Sequence, residues 1–269
     1  MIVLIAFFAC TDKPDDTAAD APVAVNTDRV VLHEAFSGSN CGPCAPAAEN
    51  LAAALTGAEG RYAMVKYQIG SDPYISNEAV QRRMFYLPGE ESYAIPYVHA
   101  DGVHAFHPNE MDDAEAYGAD DFEGFAAIES SLSVGVDMAL TEQTVSATVT
   151  LQSTAEIDGG NLRLMVAIVE NTTELNVGSN GQSEFHSVFK KFVPDGNGIA
   201  LSPLIAGETT VHDVEYTFQG SYAEEAGYAS PVDHGSEHTV EEFDDLAVIA
   251  WVQDLETWVV HNAASAGAH

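Results

Sequence analysis

From Arg29 onward the chain alternates short runs of branched apolar residues with stretches of helical spacing. RVVLHEAF is β-branched or apolar along most of its length, which predicts a buried strand, and SGSN after it reads as a loop. A helical stretch, APAAENLAAAL, follows CGPC and is closed by Gly57. RYAMVKYQI predicts a second strand and ISNEAVQRRMFYL a second helix. YVHA and VHAF form a strand pair joined at Asp101–Gly102, a hairpin signal, and DDFEGFAAIESSL predicts a third helix. After Leu132 the helical period disappears. SVGVDMAL, QTVSATVTLQ, NLRLMVAIVENT, FHSVFKKFV, TTVHDVEYTF, LAVIAWVQD and TWVVHNAA alternate or run apolar, with turn-rich stretches such as EIDGG between them. The pattern predicts two units: an α/β domain over residues 29–132, then an all-β, Ig-like antiparallel sandwich over 133–269.

The first residues follow neither pattern. Met1 to Ala9 (MIVLIAFFA) is apolar but far short of the ~20 helical residues that cross a bilayer. It matches the apolar region of a secretory signal, without the basic residues that normally precede one. Small Ala9 before Cys10 resembles the processing site of bacterial lipoproteins, although Phe7 stands where such sites usually carry Leu. The resemblance implies lipidation of Cys10, with residues 11–28, rich in Asp, Ala, Thr and Pro, as a flexible acidic tether. The alternative is a buried N-terminal strand with an inert cysteine. The lipoprotein reading predicts export to the cell envelope, periplasm or outer membrane, an oxidising compartment.

Charge narrows the function classes. The 269 residues carry 9 Lys+Arg against 42 Asp+Glu, a net charge of −33 spread over both halves. That excludes binding to a phosphate backbone, which needs clustered cations, and adhesion to an anionic membrane through a basic patch. With 46% hydrophobic residues the chain has material for a packed core. Its three cysteines are an odd set: Cys10 alone, and Cys41 with Cys44 in a C-x-x-C unit.

Thiol–disulfide exchange needs an accessible thiolate as attacker and a second thiol close enough to resolve the mixed disulfide. Two intervening residues at a helix start supply that spacing, and the positive end of the helix favours the thiolate on the first cysteine. Cys41 is therefore the expected nucleophile and Cys44 the resolving thiol, with Pro43 in the first turn, where its missing N–H costs nothing. A C-x-x-C beside a strand–helix–strand pattern is the usual context of such a redox motif. Cys41-Gly42-Pro43-Cys44 repeats the active-site tetrapeptide of thioredoxins, and Ile95-Pro96 resembles their Ile–cis-Pro pair. The resemblance implies a thioredoxin-like fold for the first unit. It also implies that Pro96 is a cis proline against the disulfide, and that Ile95, Gly42 and Pro43 border the substrate peptide. Asn40 stands where that family carries a Trp. Glu34 lies near, but out of register with, the family's buried proton-accepting Asp, and is a candidate general base. No Lys or Arg occurs between Arg29 and Arg61, while Glu34 and Glu49 flank the motif, so the Cys41 pKa is not expected to be strongly depressed.

Phrases in both halves, EAFSGSNCGPCAPA and AVIAWVQDLETWVVHNAA, resemble the Omp-twenty-eight-related bacterial outer-membrane lipoproteins, which join a thioredoxin-like domain to a β-sandwich. The resemblance runs from about residue 29 to 265. The leading expectation is an exported thiol–disulfide oxidoreductase that needs no cofactor. Its partner would be a protein carrying a thiol or disulfide, bound with help from the sandwich, and its only membrane contact a lipid on Cys10. A second reading is a surface binding protein whose C-x-x-C is a structural disulfide. A third is a copper-handling thioredoxin relative that uses Cys41, Cys44 and a histidine; separately, His99, His104 and His107 near Asp101 and Glu110 are candidates for a copper or zinc site. His234 with His238 is a weaker pair, Asp195 and Asn197 offer too few oxygens for calcium, and Lys190–Lys191 reads as a salt-bridge site.

Overall fold

The computed structural model describes residues 27–87, 89, 94–109, 117–223 and 230–267. The leader, Cys10, most of the tether and Glu110 lie outside the described residues. The first part of the chain forms β1 (Val31–Ser37), α1 (Cys44–Ala54), β2 (Tyr62–Gln68), α2 (Asn77–Tyr86), β3 (Tyr97–Ala100), β4 (His104–Phe106) and α3 (Ala119–Ala126). β1 and β2 pair in parallel, while β3 lies antiparallel to β1 and carries β4 at its far side. α2 starts at a capping Ser76, whose hydroxyl accepts the Ala79 N–H, and has Glu78 in its first turn and Arg83 in its last.

Strands follow for the rest of the chain: β5 (Leu132–Thr141), β6 (Thr144–Ser153), β7 (Leu162–Thr173), β8 (Phe185–Phe192), β9 (Ile199–Ala200), β10 (Thr209–Thr217), β11 (Leu246–Asp254) and β12 (Val260–Gly267). β10, β6 and β5 form a three-stranded antiparallel sheet. β7, β8, β11 and β12 do not close a separate sandwich. They continue the first sheet, in the order β12-β11-β7-β8-β2-β1-β3-β4, with β9 on the edge of β7. The join is a parallel pairing of β2 with β8 at Lys66↔Val188. The expected architecture, a thioredoxin-like α/β domain followed by a β-sandwich, is thus corrected. The chain is mostly β, with one large mixed sheet shared by both halves and a smaller second sheet.

The reason lies in the two faces of β7 and β11. Both are buried along nearly their whole length, so cover is needed on each side. One face, with Leu164, Val166, Ile168, Val248 and Ala250, packs on Val145, Val149 and Leu151 of β6. The other, with Met165, Val169, Ile249 and Trp251, shares a core with Leu32, Phe36, Val65 and Tyr67 of β1 and β2 and with Tyr86 of α2. A third cluster seats α1 and α3 on the opposite face of β1, against Val31 and Ala35.

Polar groups weld the halves at the same seam. Arg82 of α2 donates from Nε to Glu34 Oε1 and from Nη2 to Glu34 Oε2, both at 2.7 Å, and from Nη2 to Gln253 Oε1 of β11 at 2.6 Å. The hydroxyls of Tyr67 and Tyr86 donate to the same carboxylate at 2.7 and 2.5 Å. Nearby, Arg29 binds Asp101 Oδ2 and the carbonyls of Val260 and His261 in β12. Burial by itself would raise the Glu34 pKa. The Arg82 charge and the hydrogen bonds from Arg82, Tyr86 and Tyr67 hold it below the usual carboxylate value.

Because the Glu34 pKa is depressed in the folded state, its stabilisation is complete above the ordinary glutamate range. It is lost as pH falls through the lower folded value. Arg82→Met, which strands a buried carboxylate, is expected to lower unfolding free energy in urea by about 3–5 kcal/mol near neutral pH, and Glu34→Gln to flatten the acid limb of stability against pH. A cost below about 1 kcal/mol for Arg82→Met would contradict this role.

Candidate functional site

β1 ends at Ser37, and the loop that follows turns the chain so that Cys41 and Cys44 arrive at the start of α1. Cys41 N–H is bonded to Gly38 O, and Cys44 N–H to Cys41 O. Pro43 is the N-cap and α1 begins at Cys44, so Cys41 lies just ahead of the helix. The two cysteines form a disulfide with Cα atoms 5.3 Å apart. Their surroundings differ: Cys41 is half-buried and Cys44 buried, while Gly42 and Pro43 between them are exposed.

The Ile95–Pro96 peptide is cis and runs into β3, beside β1. Ile95 O lies 3.6 Å from Cys41 Sγ, within reach of a thiol hydrogen bond once the disulfide is reduced. Pro96 lines a small apolar cavity under the disulfide with Cys44, Ala35, Ala47 and Lys66. Asn109, after β4, fastens the motif by donating to Pro43 O at 2.6 Å.

Glu34 is not at this site. Successive side chains of a strand point to opposite faces, and Ala35 is the β1 residue that faces α1. Glu34 points to the other face, where Arg82, Tyr67 and Tyr86 occupy its carboxylate, so its proposed part as general base is corrected to a structural one. The histidines are dispersed. His99 is buried and stacked on Tyr86, with Nδ1 3.3 Å from Gly102 O, and burial pushes its pKa down. His104 lies beside Phe106, Phe125 and Tyr117, while His107 Nδ1 is 2.7 Å from Pro96 O. Among the described residues, no group of three or more His, Cys, Asp or Glu could hold a metal. Glu110 lies outside them.

Sequence patterns missed the wall beside Cys41. The loop between β7 and β8 crosses from the other half and leans on Ser39 and Asn40. Asn180 N–H binds Ser39 O at 2.9 Å, and Ser179 N–H binds Asn40 Oδ1 at 3.0 Å. Glu241 holds the base of this loop through the Glu174 and Leu175 N–H groups, and buried Asp72 accepts the Ser39 N–H at 2.7 Å. A Cβ at Gly178 would come within 2.5 Å of Ser39 O, so only glycine lets the loop come this close. The Gly-rich string NVGSNGQS was the available signal, but it marks a loop and not its destination.

The site is thus a C-x-x-C disulfide at a helix start, half-buried at Cys41 and buried at Cys44, with a cis proline beside it. No protein-family model matches the chain, and no curated protein matches its sequence. Among solved structures it is similar to HBP35 of Porphyromonas gingivalis, with a TM-score of 0.68 and 15% identity, over 91% of this chain and 76% of that one. It is also similar to protein AGR_C_4864 from Agrobacterium tumefaciens, with a TM-score of 0.54 and 12% identity, over 90% and 96% of the two chains. At these identities the likeness concerns the fold, and it extends over both halves.

Gly178→Ala is expected to push the loop off Ser39–Asn40 at a cost of about 1–3 kcal/mol. The check is amide hydrogen exchange, with faster exchange at Ser179 and Asn180; protection equal to wild type would contradict the close approach.

Proposed function

We propose that this protein is an exported thiol–disulfide oxidoreductase. The observation that carries the reading is the unequal burial of the two cysteines, with the Ile95 carbonyl beside Cys41 Sγ. In the reducing direction the Cys41 thiolate attacks a partner disulfide. A Cys41–partner bond forms and one partner sulfur leaves as thiolate. Cys44 then attacks Cys41 Sγ, the Cys41–Cys44 disulfide closes, and the second partner sulfur departs. Oxidation of a partner dithiol is the same sequence reversed.

Gly42 and Pro43 face solvent at the motif, and with Ile95 and Pro96 they form the surface over which a partner peptide lies. Leu175 and Val177, exposed on the loop that leans on Asn40, offer apolar contact where the resemblance to thioredoxins would place a Trp. Export and a lipid on Cys10 are supported by the apolar leader and acidic tether, in keeping with the resemblance to the Omp-twenty-eight-related lipoproteins.

Insulin reduction by dithiothreitol tests the reading. The wild type is expected to accelerate precipitation several-fold and Cys41→Ser to fall to the rate of dithiothreitol alone. Equal rates for the two proteins would overturn it.

A further inference from the structure

The loop that crosses from the other half to stand beside Cys41 bears two apolar side chains outside every core cluster. Leu175 and Val177 are 65% and 52% exposed, and Leu175 is the most exposed large apolar side chain among the described residues. Resting on the oxidoreductase reading, we infer that this loop docks a cationic partner segment. In that segment an apolar side chain and Lys or Arg lie within about eight residues of the reacting cysteine.

The loop is tied down at both ends. Glu241 accepts the Glu174 and Leu175 N–H groups and the Tyr74 hydroxyl, while Ser39 O and Asn40 Oδ1 accept from Asn180 and Ser179. Apolar side chains on a backbone fixed in this way lose little freedom when a partner covers them. Leu175 also borders an open cleft of about 630 Å³ whose walls carry Glu174, Glu241, Glu242, Asp244 and Asp245 and no Lys or Arg. Glu174, Glu242 and Asp244 are exposed, and among the described residues no ion pair engages them. On neighbouring β8 the two cations are already committed, Lys190 to Glu170 and Lys191 to Glu78. An apolar patch rimmed by unpaired carboxylates complements an apolar side chain flanked by cations and rejects one flanked by acids.

A single peptide can reach both the sulfur and the acids. Gly178 meets Ser39, two residues before Cys41, and Glu174 lies four residues before Gly178. The path from Cys41 to the acids is then at most about 25 Å, which roughly eight extended residues span. Charge also acts before contact, since a chain of net charge −33 draws a cationic partner in and salt screens that pull. Once docked, the partner's cations offset part of the acidic field around Cys41 and favour the thiolate that attacks.

The test uses short peptides with one cysteine held as a mixed disulfide with thionitrobenzoate, mixed with the reduced full chain in a Cys10→Ser background. Released thionitrobenzoate gives the exchange rate. Near the cysteine the peptides carry Leu with two Lys, Leu with two Glu, or Ser with two Lys. At low salt the Leu–Lys peptide is expected to react at least about tenfold faster than Leu–Glu and about threefold faster than Ser–Lys, the first ratio falling below about threefold at roughly 0.5 M salt. These comparisons need no variant to fold. Leu175→Ser with Val177→Ser is expected to erase the advantage of Leu over Ser. Glu174→Gln with Glu242→Gln and Asp244→Asn is expected to cut the preference for Lys over Glu at least about threefold, whereas Asp137→Asn with Asp213→Asn and Glu215→Gln, exposed on the second sheet, leaves it nearly unchanged. Equal losses from the two triple variants would reduce the effect to bulk charge and overturn the inference. So would Leu–Lys reacting within about twofold of Leu–Glu or of Ser–Lys at low salt. A wild-type dimer in sedimentation velocity that Leu175→Ser dissociates would assign the patch to a second copy and also overturn it. Each of these outcomes leaves the oxidoreductase reading intact, while a wild type that releases thionitrobenzoate from none of the peptides overturns both.

Discussion

Arg82 lies where β1, α2 and β11 meet, and its guanidinium is shared between Glu34 and Gln253. Removing a charge from water is costly, and a buried ion pair is tolerated only when its remaining hydrogen-bonding capacity is met. Here Tyr67 and Tyr86 complete the carboxylate, and Gln253 takes the surplus guanidinium hydrogen. Because the partners come from both halves of the chain, neither half can satisfy the group alone. The same constraint fixes β1 in the middle of the large sheet, and β1 leads directly into the loop that presents Cys41. The C-x-x-C motif therefore hangs on a strand whose position is set by the far half of the sequence.

The scarcity of cations gives this arrangement its economy. With nine Lys and Arg against 42 acids, three of the cations sit where an acid is buried: Arg82 on Glu34, Arg29 on Asp101, Lys190 on Glu170. Buried pairs of this kind are screened little by salt, unlike the exposed acidic surface, whose self-repulsion weakens as ionic strength rises. Lys66 departs from the rule. Among the described residues it is buried without an acidic partner, at the single registered pair where the two halves of the sheet meet and under the one disulfide found there.

Much of this was legible locally. The strands and helices follow from period and composition, and the C-x-x-C with Ile95-Pro96 marked where the disulfide and the cis proline lie. What was not legible is the pairing of β2 with β8, because a parallel contact between distant segments leaves no mark on either one. A hint existed in the unbroken apolar runs LMVAIV and LAVIAWV, which need cover on both faces and so do not suit a sandwich with one face in solvent. The place of Glu34 was also readable in principle. Ala35, two strand positions before Ser37 and four after Val31, shares its face with α1, and the period of a strand sends Glu34 the other way. The contact of Gly178 and Asn180 with Ser39 had no comparable signal, since a Gly-rich loop does not say where it lands.

The account turns on whether the Cys41–Cys44 disulfide exchanges or only staples. Its reduction potential, measured by equilibrating the full Cys10→Ser chain in thiol–disulfide buffers and trapping free thiols, decides this most directly. The account predicts reversible exchange with a potential above about −300 mV, in the range of exchange-active proteins. A disulfide that resists these buffers, with a potential below about −300 mV, would be a structural crosslink and would contradict it.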